Sequence, residues 1–125
     1  MVKSLVSILC VLIIILAGVM YESNFVHRQF NEFNGVLTAL YDKIDDTSAV
    51  EDDVIAVREN WIDKKKYLHI FIPHNEIKEI DLWLSEAVKL VRDEKWSDAI
   101  SKIEVLLELS VEIPKTFSLR IENIL

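Results

Sequence analysis

The sequence predicts an all-α protein: an N-terminal transmembrane helix that continues into an antiparallel four-helix bundle of two helical hairpins, with a short C-terminal helix or strap. Three observations carry that expectation. The 125 residues include only 2 Gly and 2 Pro, too few for the frequent turns of an all-β chain. From Leu5 to Tyr21 there are 17 residues without a charge. Beyond Tyr21, apolar residues return every three or four positions, the period of one helix face.

The uncharged run comes first. At ~1.5 Å per residue a helix from Leu5 to Tyr21 is about 25 Å long, the short end of a bilayer span, and Val2, Ser4 and a snorkelling Lys3 extend it. Cleavage as a signal peptide wants small residues at the last and third-last positions before the cut. A cut after Gly18 puts Leu16 third from last, and one after Ala17 puts Ile15 there. Leu9 stands before Cys10 where a lipoprotein signal wants a small residue, and a buried soluble helix would carry a polar face that this run lacks. The expectation is an uncleaved anchor over residues 1–21, in the lipid bilayer through residues 2–21, followed by a bundle domain over residues 22–125. Lys3 and the α-amino group precede the run, and Glu22 is the first charge after it. The positive-inside rule then gives a single-pass cell-membrane protein with a cytoplasmic N-terminus and an extracytoplasmic bundle.

The anchor runs on without a break. Val26, Phe30, Phe33, Leu37, Leu40 and Ile44 follow at spacings of 4, 3, 4, 3, 4, a narrow seam of coiled-coil type. Asp45-Asp46-Thr47 ends this first helix, and Ser48-Ala49-Val50-Glu51 has the pattern of a capping box opening the second. Val50, Val54, Val57, Trp61, Leu68 and Ile72 form the second stripe, interrupted by Lys64 and Lys65, up to a stop at Pro73. Asn75 is placed to cap the third helix, whose stripe is Ile77, Ile80, Leu84, Ala87 and Val91. After a turn at Asp93–Ser97, Ala99, Ile100, Ile103, Leu106, Leu107 and Val111 carry the fourth helix to Pro114. A shift of about 50 residues aligns Phe30 with Ile80 and Ala49 with Ala99, compatible with a duplicated hairpin and with chance.

A net charge of −7 is the wrong sign for a nucleic-acid binder. The single Cys excludes an internal disulfide framework. With no Gly-rich phosphate loop, no His-Glu-x-x-His and no Cys-x-x-Cys, the expectation is a non-enzyme with no catalytic residues, no cofactor and no metal. His27, His69 and His74 gather at one end of an up-and-down bundle beside Glu76, but no two share a helix at ligand spacing, so they read as interfacial or capping residues. The acidic run from Asp42 to Asp53 lacks the alternation and the Gly of a calcium loop and reads as a solvated turn. Trp61, Trp83 and Trp96 lie on or beside the apolar stripes and read as core.

Charge is unevenly placed along the bundle. An outward first helix and a returning second bring the turn from Tyr67 to Asn75 back toward the bilayer, with Lys64, Lys65, Lys66, Lys78, Lys115 and Arg120 at the same end. Lys64, Lys65, Lys66, Tyr67, Phe71 and His74 are therefore the candidate membrane- or partner-facing residues.

The run Phe71-Ile72-Pro73-His74-Asn75-Glu76-Ile77, the Trp61…Lys65…Leu68 spacing before it and the ending Glu122-Asn123-Ile124-Leu125 resemble one family across the whole chain, anchor included. It is the domain of unknown function 4363 family of small membrane-anchored proteins from clostridia-like Gram-positive bacteria. The resemblance implies a transmembrane helix, a helical outer domain and no established activity. The expected function is that of a non-enzymatic accessory that docks on a membrane protein or on another copy of itself. The alternative is a ligand-sensing bundle with a pocket near Trp61 or Trp83.

Overall fold

The computed structural model describes residues 1–124, and these form four α-helices and no strand. Helix α1 runs from Val2 to Asp45 as one piece of 44 residues, ~66 Å at 1.5 Å per residue. Its outer half buries the expected seam, with Val26, Phe30, Phe33, Leu37 and Ile44 fully inaccessible. The apolar half touches nothing: Leu5, Ile8, Leu9, Ile14 and Met20 are all exposed. One helix is therefore long and apolar enough to cross a membrane, and none of its apolar window is covered by the bundle.

The remaining helices are α2 (Glu51–Leu68), α3 (His74–Arg92) and α4 (Trp96–Ile124). The helices alternate in direction. Residues of α1 and α4 meet in antiparallel register, as Asn34 Nδ2 donates to Ser110 Oγ at 2.8 Å and Tyr41 O–H to Glu104 at 3.5 Å. Lys43 of α1 pairs with Asp53 of α2 at 3.1 Å, and Lys102 of α4 with Glu86 of α3 at 3.3 Å. Each helix packs on two neighbours around one core, and α1 with α4 is the largest interface. Trp61 is the largest fully buried side chain, stacked 5.0 Å from the Phe33 ring and 6.1 Å from that of Phe30. Trp83 and Trp96 are partly buried against the same core.

The two turns at the far end share one construction. Thr47 and Glu94 both take φ of 55° in the left-handed region, and the next amide in each reaches back five residues, Ser48 to the Lys43 carbonyl and Lys95 to that of Leu90. This is the wrapped C-terminus that usually uses Gly, made here with side chains that pay for it in strain.

Five local expectations are corrected. The acceptor at the start of α2 is Asp53, whose carboxylate takes the Val50 N–H at 2.9 Å, while the Ser48 hydroxyl turns back to the Lys43 carbonyl. Helix α2 stops at Leu68 rather than Ile72, because the amides of Phe71 and Ile72 both bond to the Leu68 carbonyl and Pro73 disfavours a helical residue before it. Asn75 lies inside the first turn of α3, with Pro73 at the cap position. On α4 the seam passes through Ala99, Ile103, Leu106, Ser110, Ile113 and Phe117, leaving Val111 exposed. Buried Ser110 is satisfied twice, donating to the Leu107 carbonyl at 2.6 Å and accepting from Asn34. Finally, α4 does not end at Pro114 but runs through it, so the C-terminal segment is its continuation instead of a separate strap. The missing amide costs one helical bond, and burial of Ile113 and Phe117 on either side offsets it.

Candidate functional site

The end of the bundle next to the apolar half of α1 is built by three segments. These are the first bundle turn of α1, the connection from α2 to α3, and the last turns of α4. Phe71 closes them together. Its ring lies 6.3 Å from Phe25 of α1 and 6.1 Å from Phe117 of α4, edge-on to both, and the residue is half-buried. His27 is joined to Ser118 through its Nε2 in the same layer. Phe71 thus holds the connection against the bundle.

The lysines lie higher and face other partners. Lys64 occupies the buried stripe of α2 and is only 7% exposed. Its ammonium donates to Glu32 at 2.7 Å and to Gln29 at 3.3 Å across the α1–α2 groove. The hydrogen bond from Lys64, and then its charge, hold the Glu32 carboxyl below the usual carboxylate range. Lys64 thus faces α1, its charge met by Glu32 and its side chain only 8% exposed. Lys65 pairs with Asp81 at 3.0 Å, and the same carboxylate accepts the Trp61 indole N–H at 2.8 Å. Lys66 is exposed and lies 3.4 Å from Asp63 one turn back.

Tyr67 and His74 are exposed, as are His69 and Ile70 between them. His69 turns its Nδ1 to the Lys65 carbonyl at 3.1 Å. The histidines therefore share an end but not a centre, and among the described residues no group of three or more His, Cys, Asp or Glu is placed to hold a metal ion. At the far end, Asp53 is a capping residue, its carboxyl lowered by the Val50 N–H and then by Lys43.

Two recesses open beside Phe25. One, of about 230 Å³, is lined by Tyr21, Glu22, Phe25, Tyr67, Ile70 and Phe71. The other, of about 270 Å³, lies between α1 and α2 and is lined by Phe25, Gln29, Asn60, Asp63, Lys64 and Tyr67. Asn60 Oδ1 is inaccessible there and has no hydrogen-bond partner.

The model of the family described as "Domain of unknown function (DUF4363)" matches residues 21–124. The chain belongs to that family. The match begins at Tyr21, the last residue of the apolar run, and covers the bundle. No curated protein and no solved structure matches the chain.

Sequence reasoning placed Tyr67, Ile70, Phe71 and His74 at this end but did not count Ile70 among the candidate contacts, although it is 72% exposed. The signal was available. Tyr67-Leu68-His69-Ile70-Phe71-Ile72 is largely apolar where a solvent-facing turn takes Gly, Asn, Asp or Ser. The spacing of Val57, Trp61, Lys64 and Leu68 also puts Lys64 on the buried face, a position that its charge conceals.

Proposed function

We propose that this DUF4363 protein is a non-enzymatic, membrane-tethered interaction module. The observation that carries the proposal is the unbroken α1, whose bare apolar half and core-forming half are one rigid helix. Residues 2–21 span the bilayer with the N-terminus in the cytoplasm, and the bundle stands outside. A helix without a hinge fixes the bundle's height and tilt relative to the membrane, which suits a docking part for a membrane protein or a second copy. The test is purification of the full chain from membranes in mild detergent, followed by mass measurement of the intact particle. A second copy or a membrane protein at fixed stoichiometry is expected, and a lone monomer contradicts the proposal.

A second reading rests on the recess between α1 and α2. Its lining of Gln29, Asp63, Lys64 and Tyr67 beside Phe25 offers polar and apolar contacts to a small ligand. In that reading the bundle is a ligand sensor, and Asp63→Ala, at an exposed side chain of the recess, weakens ligand binding without lowering the melting temperature.

A further inference from the structure

The bundle's two ends differ in kind. The far end turns through Asp45-Asp46-Thr47-Ser48 and Asp93-Glu94-Lys95, charged and polar as water requires. The opposite turn presents Ile70, 72% exposed, and Tyr67, 61% exposed, with nothing in the protein covering them. Their height is fixed by what they share a surface with. Ile70 and Tyr67 line one recess with Tyr21 and Glu22, the last residue of the apolar run and the first charge beyond it. Tyr21 is itself 69% exposed. If residues 2–21 span a bilayer, the boundary between acyl chains and headgroups passes through this recess. The C-terminal turn of α4 descends to the same height, since the pairing of Ser118 with His27 brings Ile121 level with Asn24, and neighbouring Leu119 is exposed.

We propose that the turn between α2 and α3 is a second membrane contact, in which Ile70 and Tyr67 enter the headgroup–acyl boundary beside Tyr21. The inference rests on the anchor reading above and adds the orientation of the bundle to it. Aromatic and aliphatic side chains at that depth are the ordinary currency of interfacial anchoring. The contact is assigned to these apolar side chains: of the cations at this end, Lys64, Lys65 and Lys66 each already face a carboxylate, at 2.7, 3.0 and 3.4 Å, and Arg120 lies 3.9 Å from Glu76. The contact therefore needs no anionic lipid and persists in high salt. Held at α1 and again at the turn, the bundle cannot swing, and its acidic turns point away from the membrane.

The test uses the full chain with Cys10→Ser, carrying one cysteine at a time, labelled with a polarity-sensitive fluorophore and reconstituted into phosphatidylcholine vesicles. Ile14→Cys reports the anchor, Ile70→Cys the turn and Thr47→Cys the far end. Lipid-borne quenchers at headgroup depth should quench the Ile70 label, with loss of quenching by aqueous iodide and no change in high salt, while the Thr47 label is quenched by iodide alone. If the Ile14 label is quenched from within the bilayer but the Ile70 label behaves like Thr47, the second contact is wrong and the anchor stands. If the Ile14 label is not quenched by lipid, the anchor and the inference fall together. An Ile70 label shielded from both quenchers shows that protein covers the turn, and lipid quenching lost in high salt shows that the lysines carry the contact; either result overturns the proposal. Ile70 is exposed, so its substitution leaves the fold intact, and Tyr67→Cys repeats the depth measurement independently.

Discussion

Trp61 is the side chain on which the bundle should depend most heavily, and its truncation can be worked through from its surroundings. The ring is fully inaccessible, stacks on Phe33 and Phe30, and donates its N–H to Asp81 at 2.8 Å. Trp61→Ala removes that burial and leaves a cavity, a loss of ~3–5 kcal/mol. Asp81 adds no further penalty, because it keeps Lys65 at 3.0 Å and its side chain is 36% exposed. Domains of this size shift their midpoint by ~4–8 °C for each kcal/mol, so even the lower bound implies a fall of about 12–24 °C. Trp61→Phe keeps a ring against Phe33 and loses chiefly the hydrogen bond and part of the volume, for ~1–2 kcal/mol. Circular dichroism melts of the fragment 22–125 and its two variants give the comparison. A Trp61→Ala variant that loses less than ~1 kcal/mol would refute the packing argument.

Four further outcomes follow from other positions. The fragment 22–125 itself should be helical, soluble and cooperative in its melt; a gradual melt would show that the anchor or a partner completes the fold. Gly35 is helical and exposed, with open space around a Cβ, so Gly35→Ala should raise stability by ~0.5–1 kcal/mol, read as a higher melting temperature. Thr47→Gly should also stabilise, by ~0.5–1 kcal/mol, since a β-branched residue at φ of 55° carries strain that Gly does not. Asp53 has its carboxyl lowered in the fold, so its contribution is whole above the ordinary carboxylate value and disappears as pH falls toward the lowered one. Asp53→Ala should cost ~1 kcal/mol near neutrality and flatten the acid limb of stability against pH.

The fold was legible where side-chain type and spacing agree. The seam from Val26 to Ile44 follows a strict alternation of fours and threes, and every member is buried. It was illegible where one residue's chemistry contradicts its position. Lys64 and Ser110 both sit on buried faces, and their polarity hid them because the partners that satisfy them, Glu32 and Asn34, belong to another helix. Pro114 misled in the opposite sense: the local rule ends a helix there, and the core contacts of Ile113 and Phe117 override it. At the candidate site, the importance of Phe71 was visible, but its clasp between Phe25 and Phe117 depends on residues far apart in the chain. Lys64→Met should accordingly leave the melting temperature nearly unchanged, because Glu32 is open to water, whereas Lys64→Glu should lower it by setting two carboxylates face to face.

The central claim is that α1 crosses the membrane once and carries the bundle outside it. The most direct measurement replaces Cys10 with Ser and Asp46 with Cys, and treats intact protoplasts with a membrane-impermeant maleimide, alongside determination of the mature N-terminus. The account predicts labelling before lysis and a chain whose N-terminus lies before the apolar run. Labelling only after lysis, or a mature protein that begins beyond Tyr21, would contradict it.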